Sequence, residues 1–320
     1  MAHVFVTRRY PGDALDLIPA GGHTMDVWEE ERPVDRATLL ERARDADALL
    51  CTLTDAVDGA LLDACPRIRT VANYGVGYDN VDVAAAAARG VAVGNTPDVL
   101  TDATADLAFA LLLAAARRLP EGMRVVTDGR WGAFEPGGHL GRDLAGATLG
   151  IVGAGRIGDA VARRAAGFDM EVLKTTSRAG TPLPELLERS DFVSLHVPLT
   201  SSTRHLIDAD ALARMKPTAI LVNTARGPVV DTDALIAALH AGEIGGAALD
   251  VTDPEPLPPD HPLLAAPNVL VLPHLGSATM RARTQMTELA VANVLAGLAG
   301  RPLPHAVPLP APAPPTAGRP

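Results

Sequence analysis

One stretch constrains the fold more than any other: Gly146-Ala-Thr-Leu-Gly-Ile-Val-Gly-Ala-Gly-Arg-Ile-Gly158. Residues 149–152 read as a buried strand, and residues 159–168 read as an alanine-rich helix ending near Gly167. Between them, Gly153, Gly155 and Gly158 fall at the G-x-G-x-x-G spacing. In that pattern the first glycine permits a sharp turn, the second admits a pyrophosphate close to the backbone, and the third lets helix pack on strand. The helix start then presents free N–H groups and a positive dipole end to the phosphates. Glycines alone also occur at this spacing in ordinary strand-to-helix turns. The strand before and the helix after make this one a dinucleotide site.

What can surround the site follows from length and charge. A chain of 320 residues can build two domains with proper cores. With 48% hydrophobic and 21% charged residues it has the composition of a globular protein. The formal net charge of -10 argues against a broad contact with a nucleic-acid backbone, so an anionic ligand must be drawn in locally. Cys51 and Cys65 sit in no metal-binding or C-x-x-C spacing, and a reduced, cytoplasmic location is expected. The longest apolar run, residues 107–116, is too short to span a bilayer and ends in Arg117-Arg118. The N-terminus lacks the basic, apolar and small-residue pattern of a signal peptide.

Along the chain, short apolar runs alternate with helical patterns. Residues 2–7, 47–52 and 70–73 read as strands, with helices near 36–44 and 59–65, which together predict a doubly wound parallel sheet ahead of the glycine turn. Residues 73–82, Asn-Tyr-Gly-Val-Gly-Tyr-Asp-Asn-Val-Asp, leave two readings open. The backbone N–H groups of Val76 and Gly77 face an anion, or the segment is a glycine-rich turn with Asp82 capping a helix over 83–89. Thr96-Pro97 opens a long helix at about 99–118, and the composition shift there marks a domain crossing. Residues 129–143 form a loop holding Trp131 and Phe134, which serve either an interface or a core. From Pro302 the chain reads as a flexible, proline-rich tail.

After the glycine turn, residues 170–174 make the second strand, ending in Thr175-Thr-Ser-Arg178. An acid roughly 20 residues past the glycines would bind the ribose 2′-OH of NAD, and none stands at 174–178. Ser177 and Arg178 can instead contact a 2′-phosphate, which points to NADP, although Arg178 also fits a solvated surface position. Four further strands are predicted at 192–197, 219–223, 247–251 and 269–272. Their C-terminal ends carry His196-Val-Pro-Leu-Thr200, Asn223-Thr-Ala-Arg-Gly227, Asp250 through Pro256, and Pro273-His-Leu-Gly-Ser277. Open parallel sheets bind ligands beyond those ends, so these segments should converge. A helix follows at 280–298.

Hydride transfer to a carbonyl needs a cation for a substrate carboxylate, an acid for the developing alkoxide, and a partner that keeps the acid charged. Arg226, His274 and Glu255 suit those parts. An arginine grips a carboxylate through two parallel hydrogen bonds, and a carboxylate beside a histidine favours the imidazolium. Singly, His274 fits a structural histidine and Glu255 a loop residue; their joint placement favours chemistry.

The ordered motifs at 73–82, 153–158, 223–227, 250–257 and 273–279 resemble the D-isomer-specific 2-hydroxyacid dehydrogenase family, over roughly residues 45–305. Residues 249–304 are most similar to its glyoxylate/hydroxypyruvate reductase branch. The resemblance implies two Rossmann-like α/β domains with parallel sheets. Residues 1–97 plus 283–320 would bind substrate, and residues 98–282 would bind the dinucleotide. It implies Arg226 as substrate anchor, His274 as proton donor, Glu255 as its partner, and carboxylate contacts from the Val76 and Gly77 backbone. Cofactor contacts are implied at Gly153, Gly155, Arg156, Ile157, Gly158, Ser177, Arg178, Pro198, Ala225, Asp250 and Gly276, with no metal. The reading is reduction of a small 2-oxo acid such as glyoxylate or hydroxypyruvate, NADP(H) preferred and NAD(H) possible, by a homodimer whose 131–134 loop reaches its partner. One departure is visible: residues 178–191 are short for the family. A related phosphite-oxidising branch usually has lysine where this chain has Val76, which disfavours that activity. Corepressors that sense NAD(H) share the fold, but the acidic charge and lack of a long regulatory insertion favour an enzyme.

Overall fold

The strand-forming runs are apolar at consecutive positions rather than alternate ones, so the sheets they build need cover on both faces. The computed structural model, which describes residues 1–310, meets that need twice. Among the described residues, one unit consists of residues 1–100 with 278–310, and the other is Thr101–Ser277.

In the first unit, strands β1 (His3–Val6), β2 (Thr24–Val27), β3 (Ala48–Cys51), β4 (Thr70–Asn73) and β5 (Ala92–Gly94) form a parallel sheet in the order β2-β1-β3-β4-β5. Aspartates start the helices on one face. The side chains of Asp35, Asp58 and Asp82 accept the N–H groups of Thr38, Leu61 and Ala85, opening the helices Arg36–Ala43, Gly59–Ala64 and Val83–Ala88. The other face, with Val4, Val6, Leu50 and Ala72, packs against Ala290, Val291, Val294 and Leu298 of the helix Met280–Leu298. The first strands and the helix Met280–Leu298 therefore share one core.

The second unit holds β6 (Thr148–Val152), β7 (Glu171–Thr175), β8 (Phe192–Leu195), β9 (Ile220–Asn223), β10 (Gly246–Leu249) and β11 (Val269–Val271), all parallel in the order β11-β10-β9-β8-β6-β7. The helices Thr101–Ala116 and Arg156–Ala166 cover one face through Leu111, Leu112 and Val161, against Leu149, Ile151, Phe192 and Val222. The helices Leu183–Arg189, Ala209–Arg214 and Thr232–Ala241 cover the other. In each sheet the strand order reverses beside the first strand, between β1 and β3 and between β6 and β8, and such switch points leave a crevice at the carboxyl ends. The architecture is the pair of doubly wound α/β folds that the alternation predicts.

Several elements differ from expectation. The helix after the glycine turn begins at Arg156 rather than 159, and β8 ends at Leu195, so His196 lies just past it. The long helix stops at Ala116 because Arg118 turns left-handed (φ 51°), and a second helix, Leu119–Thr127, follows unforeseen. The core reading of Trp131 and Phe134 is overturned, since they are 72% and 88% exposed. The flexible-tail reading is corrected for residues 302–310. Leu303 and Val307 are buried, the Val307 N–H donates to Val93 O at 2.8 Å, and Ala306 bridges Gly94. The remainder of that tail, 311–320, lies outside the described residues.

Candidate active site

At the switch point between β6 and β8 the three glycines divide their work. Gly153 takes φ 100°, and a side chain there would strike the His196 backbone at 2.7 Å; one at Gly158 would strike Gly153 O at 2.3 Å. Gly155 is different. It is the N-cap of the helix Arg156–Ala166, no side chain caps it, and a Cβ there would meet nothing within 4 Å. Uncapped helix N–H groups with open space before them fit a phosphate. Arg156 and Ile157 form the first turn, the one exposed and the other half-buried.

At the end of β7 the short connection is a tight turn. Thr176 N–H donates to Ala179 O, while the Thr176 hydroxyl accepts from the N–H groups of Arg178 and Ala179. Ser177 and Arg178 are presented at its exposed tip. No acid stands on the turn, and the nearby Lys174 ammonium pairs with Asp159 at 2.7 Å. After β8, His196 Nε2 meets Ser194 Oγ at 2.8 Å, and burial pushes its imidazole down to about 4. Pro198 O accepts from the Thr203 hydroxyl.

The ends of β9, β10 and β11, neighbours in the sheet, carry the polar residues proposed for chemistry. Asn223 shapes the first: its Oδ1 accepts from Ala225 N–H and its Nδ2 donates to Arg226 O, both near 3 Å (3.0 and 2.9 Å). Arg226 follows in extended backbone, half-buried, with Nη1 donating to Ala225 O. A Cβ on Gly227 would sit 1.9 Å from Thr252 O, so this turn lies directly on the chain that leads to Glu255. Asp250, buried at the end of β10, organises the third turn. Its carboxylate accepts from the N–H groups of Leu275 (2.6 Å) and Gly276 (2.8 Å), and its backbone carbonyl accepts from His274 N–H. Burial raises its carboxyl above the ordinary value despite those two amides. His274 is thereby held left-handed at φ 55°, and its Nδ1 meets Glu255 Oε1 at 2.6 Å.

In the first unit, Val76 and Gly77 follow β4 in a loop, and Asp82 caps the next helix, as the turn reading of this segment expects.

Residues 109–276 match the D-isomer specific 2-hydroxyacid dehydrogenase, NAD binding domain, family. A glyoxylate reductase of Korarchaeum cryptofilum is 51% identical over 305 residues, 92% of each chain. The chain belongs to the D-isomer-specific 2-hydroxyacid dehydrogenase family. Among solved structures of similar chains, one from Thermus thermophilus superposes with a TM-score of 0.89 at 49% identity, covering 95% of this chain and 99% of that one. The NADPH-dependent glyoxylate/hydroxypyruvate reductase of Sinorhizobium meliloti, in complex with NADP and malonate, gives 0.83 at 37% identity over 96% of both. As a dehydrogenase of this family the protein is an NAD(P)-dependent oxidoreductase and takes a nicotinamide cofactor. Among the described residues, no group of three or more His, Cys, Asp or Glu is placed to hold a metal ion, and no helix is long and apolar enough to cross a membrane.

Two features of the dehydrogenase site escaped the sequence reading. Asn223 acts on the Arg226 turn through bonds that a motif string does not express. Asp250, read as a cofactor contact, engages both carboxylate oxygens in building the His274 turn.

Proposed function

We propose that the protein reduces glyoxylate, hydroxypyruvate or a similarly small 2-oxo acid to the 2-hydroxy acid, with NADPH preferred over NADH. The observation that carries this reading is the pairing of His274, on the turn after β11, with Glu255, on the segment after β10, beside the strand ends that bear Arg226 and Asp250. Glu255 accepts from Nδ1–H and fixes the ring, leaving Nε2 as the nitrogen that gives its proton to the carbonyl oxygen. Arg226 holds the substrate carboxylate through its two-point fork, and His274 with Arg226 orients the carbonyl. The Val76 and Gly77 backbone in the first unit offers N–H donors to the same chemical group. The nicotinamide, when bound, supplies the hydride.

Gly153, Gly155 and Gly158 would hold the pyrophosphate, with Arg156 and Ile157 on the first helical turn and Pro198, Ala225 and Gly276 lining the crevice. Ser177 and Arg178 would meet the 2′-phosphate, and the missing acid on that turn supports NADPH. The domain with residues 1–97 plus 283–320 is assigned to substrate and 98–282 to the dinucleotide. A cytoplasmic homodimer is the assembly proposed. That similar chains are described as glyoxylate reductases supports the substrate class.

A kinetic panel with glyoxylate, hydroxypyruvate and phenylpyruvate, each with NADPH and NADH, tests the reading. The small acids should exceed phenylpyruvate in kcat/KM. Arg178→Ala should raise the NADPH KM far more than the NADH KM, since a lost charged partner costs about 1.5–3 kcal/mol. A wild type that prefers NADH, or works as well on phenylpyruvate, sinks the corresponding half.

A further inference from the structure

The loop after β4 is tied down at three consecutive carbonyls. Thr96 N–H donates to Gly75 O at 2.9 Å, the Asn95 carboxamide to Val76 O at 2.8 Å, and the Asn73 carboxamide to Gly77 O at 2.8 Å. In a trans peptide, the C=O of one residue and the N–H of the next point to opposite sides. Fixing these carbonyls against the protein therefore turns the N–H groups of Val76, Gly77 and Tyr78 away from it. No backbone carbonyl among the described residues accepts from those three. Successive N–H groups left open in this way make a donor set for an anion.

The two asparagines are themselves held. Asn73 is fully buried, and its Oδ1 accepts from Asn80 Nδ2 at 3.1 Å and from the Cys51 thiol, so its Nδ2 is the end that faces Gly77. Asn95 donates its backbone N–H to His305 O and accepts at its own carbonyl from Asn293 Nδ2, while Asn293 Oδ1 accepts from His305 N–H. The buried Asn293 belongs to the helix Met280–Leu298, so the loop is braced by the far end of the chain.

We propose that Asn95 and Asn73 are positioning residues that hold residues 75–78 as a three-amide cradle for the substrate carboxylate, with Tyr78 N–H as its third donor. The inference rests on the reading above that a small 2-oxo acid is the substrate. The full-length protein and its Asn95→Ala and Asn95→Asp variants are assayed on glyoxylate and on its methyl ester, which lacks the negative charge. Cofactor Kd and Tm are measured alongside. Wild type should favour the acid strongly. Asn95→Ala should shrink the acid-to-ester ratio of kcat/KM about tenfold, the scale of one hydrogen bond to a charged group, through the glyoxylate KM and with cofactor Kd unmoved. Asn95→Asp keeps the shape but replaces the donor with an acceptor facing Val76 O, and should shrink it further. A discriminating wild type whose ratio survives both substitutions overturns this inference alone. A wild type that uses acid and ester equally overturns it together with the carboxylate reading.

Discussion

His274 occupies a backbone region that a histidine adopts only under constraint, at a strain of about 1–3 kcal/mol, and Asp250 supplies the constraint through three hydrogen bonds. Such a turn aims a side chain, and here it aims the imidazole at Glu255. If the ring donates the proton as hydride arrives, His274→Ala should lower kcat about 10²–10⁴-fold while NADPH binding, dominated by the glycine turn, stays nearly intact. Glu255→Gln should be milder, because the amide oxygen still accepts at Nδ1 but no longer carries the charge. Near-normal kcat in His274→Ala, or wild-type kcat in Glu255→Gln, would remove the pair from the mechanism.

Among the elements, the β6–β8 switch point carries its own pH signature. His196 packs behind Gly153 and bonds Ser194, and its enclosed ring stays neutral down to about pH 4 against an ordinary value of 6.5. A depressed folded value stabilises the fold above the unfolded value, and that contribution is lost as pH falls from 6.5 through 4. It amounts to at most about 3 kcal/mol, because the residue keeps some surface exposed. His196→Gln, which keeps a partner for Ser194, should flatten stability against pH in that window when followed by denaturant titration; an unchanged slope there would show that the ring titrates normally.

What the sequence disclosed of these elements follows the reach of the interactions. The glycine turn and the Asp82 cap were legible because spacing encodes them locally, whereas the pairing of Glu255 with His274, 19 residues apart, was implied by the family resemblance. The bracing of Asn95 by Asn293 spans 198 residues, and no local pattern announces it. The end of the long helix hid for a different reason: Arg118 adopts a left-handed conformation that its residue type disfavours. Residues 302–310 read as tail because prolines at 302, 304, 308 and 310 mask the two buried apolar anchors, Leu303 and Val307.

At the scale of the whole molecule, six of the eleven exposed large apolar side chains among the described residues fall between Leu119 and Leu140. The helix Leu119–Thr127 buries no residue, and Met123, Val126, Trp131, Phe134 and Leu140 all face outward. Exposed apolar side chains of this kind suit the interface of the proposed homodimer. If the protein is that dimer, Trp131→Ser with Phe134→Ser should shift its sedimentation toward monomer with little loss of Tm. A monomeric wild type, or a variant still fully dimeric, would contradict the assignment. The core shared by the first strands and the helix Met280–Leu298 also sets an order of events during synthesis. Thr101–Ser277 is contiguous and can fold as soon as it has left the ribosome, whereas the sheet β1–β5, made first, keeps the face of Val4, Val6, Leu50 and Ala72 uncovered until residues 290–298 emerge. For most of translation, then, these strands are the ones waiting with apolar surface open to chaperones, and the helix Met280–Leu298 ends that exposure.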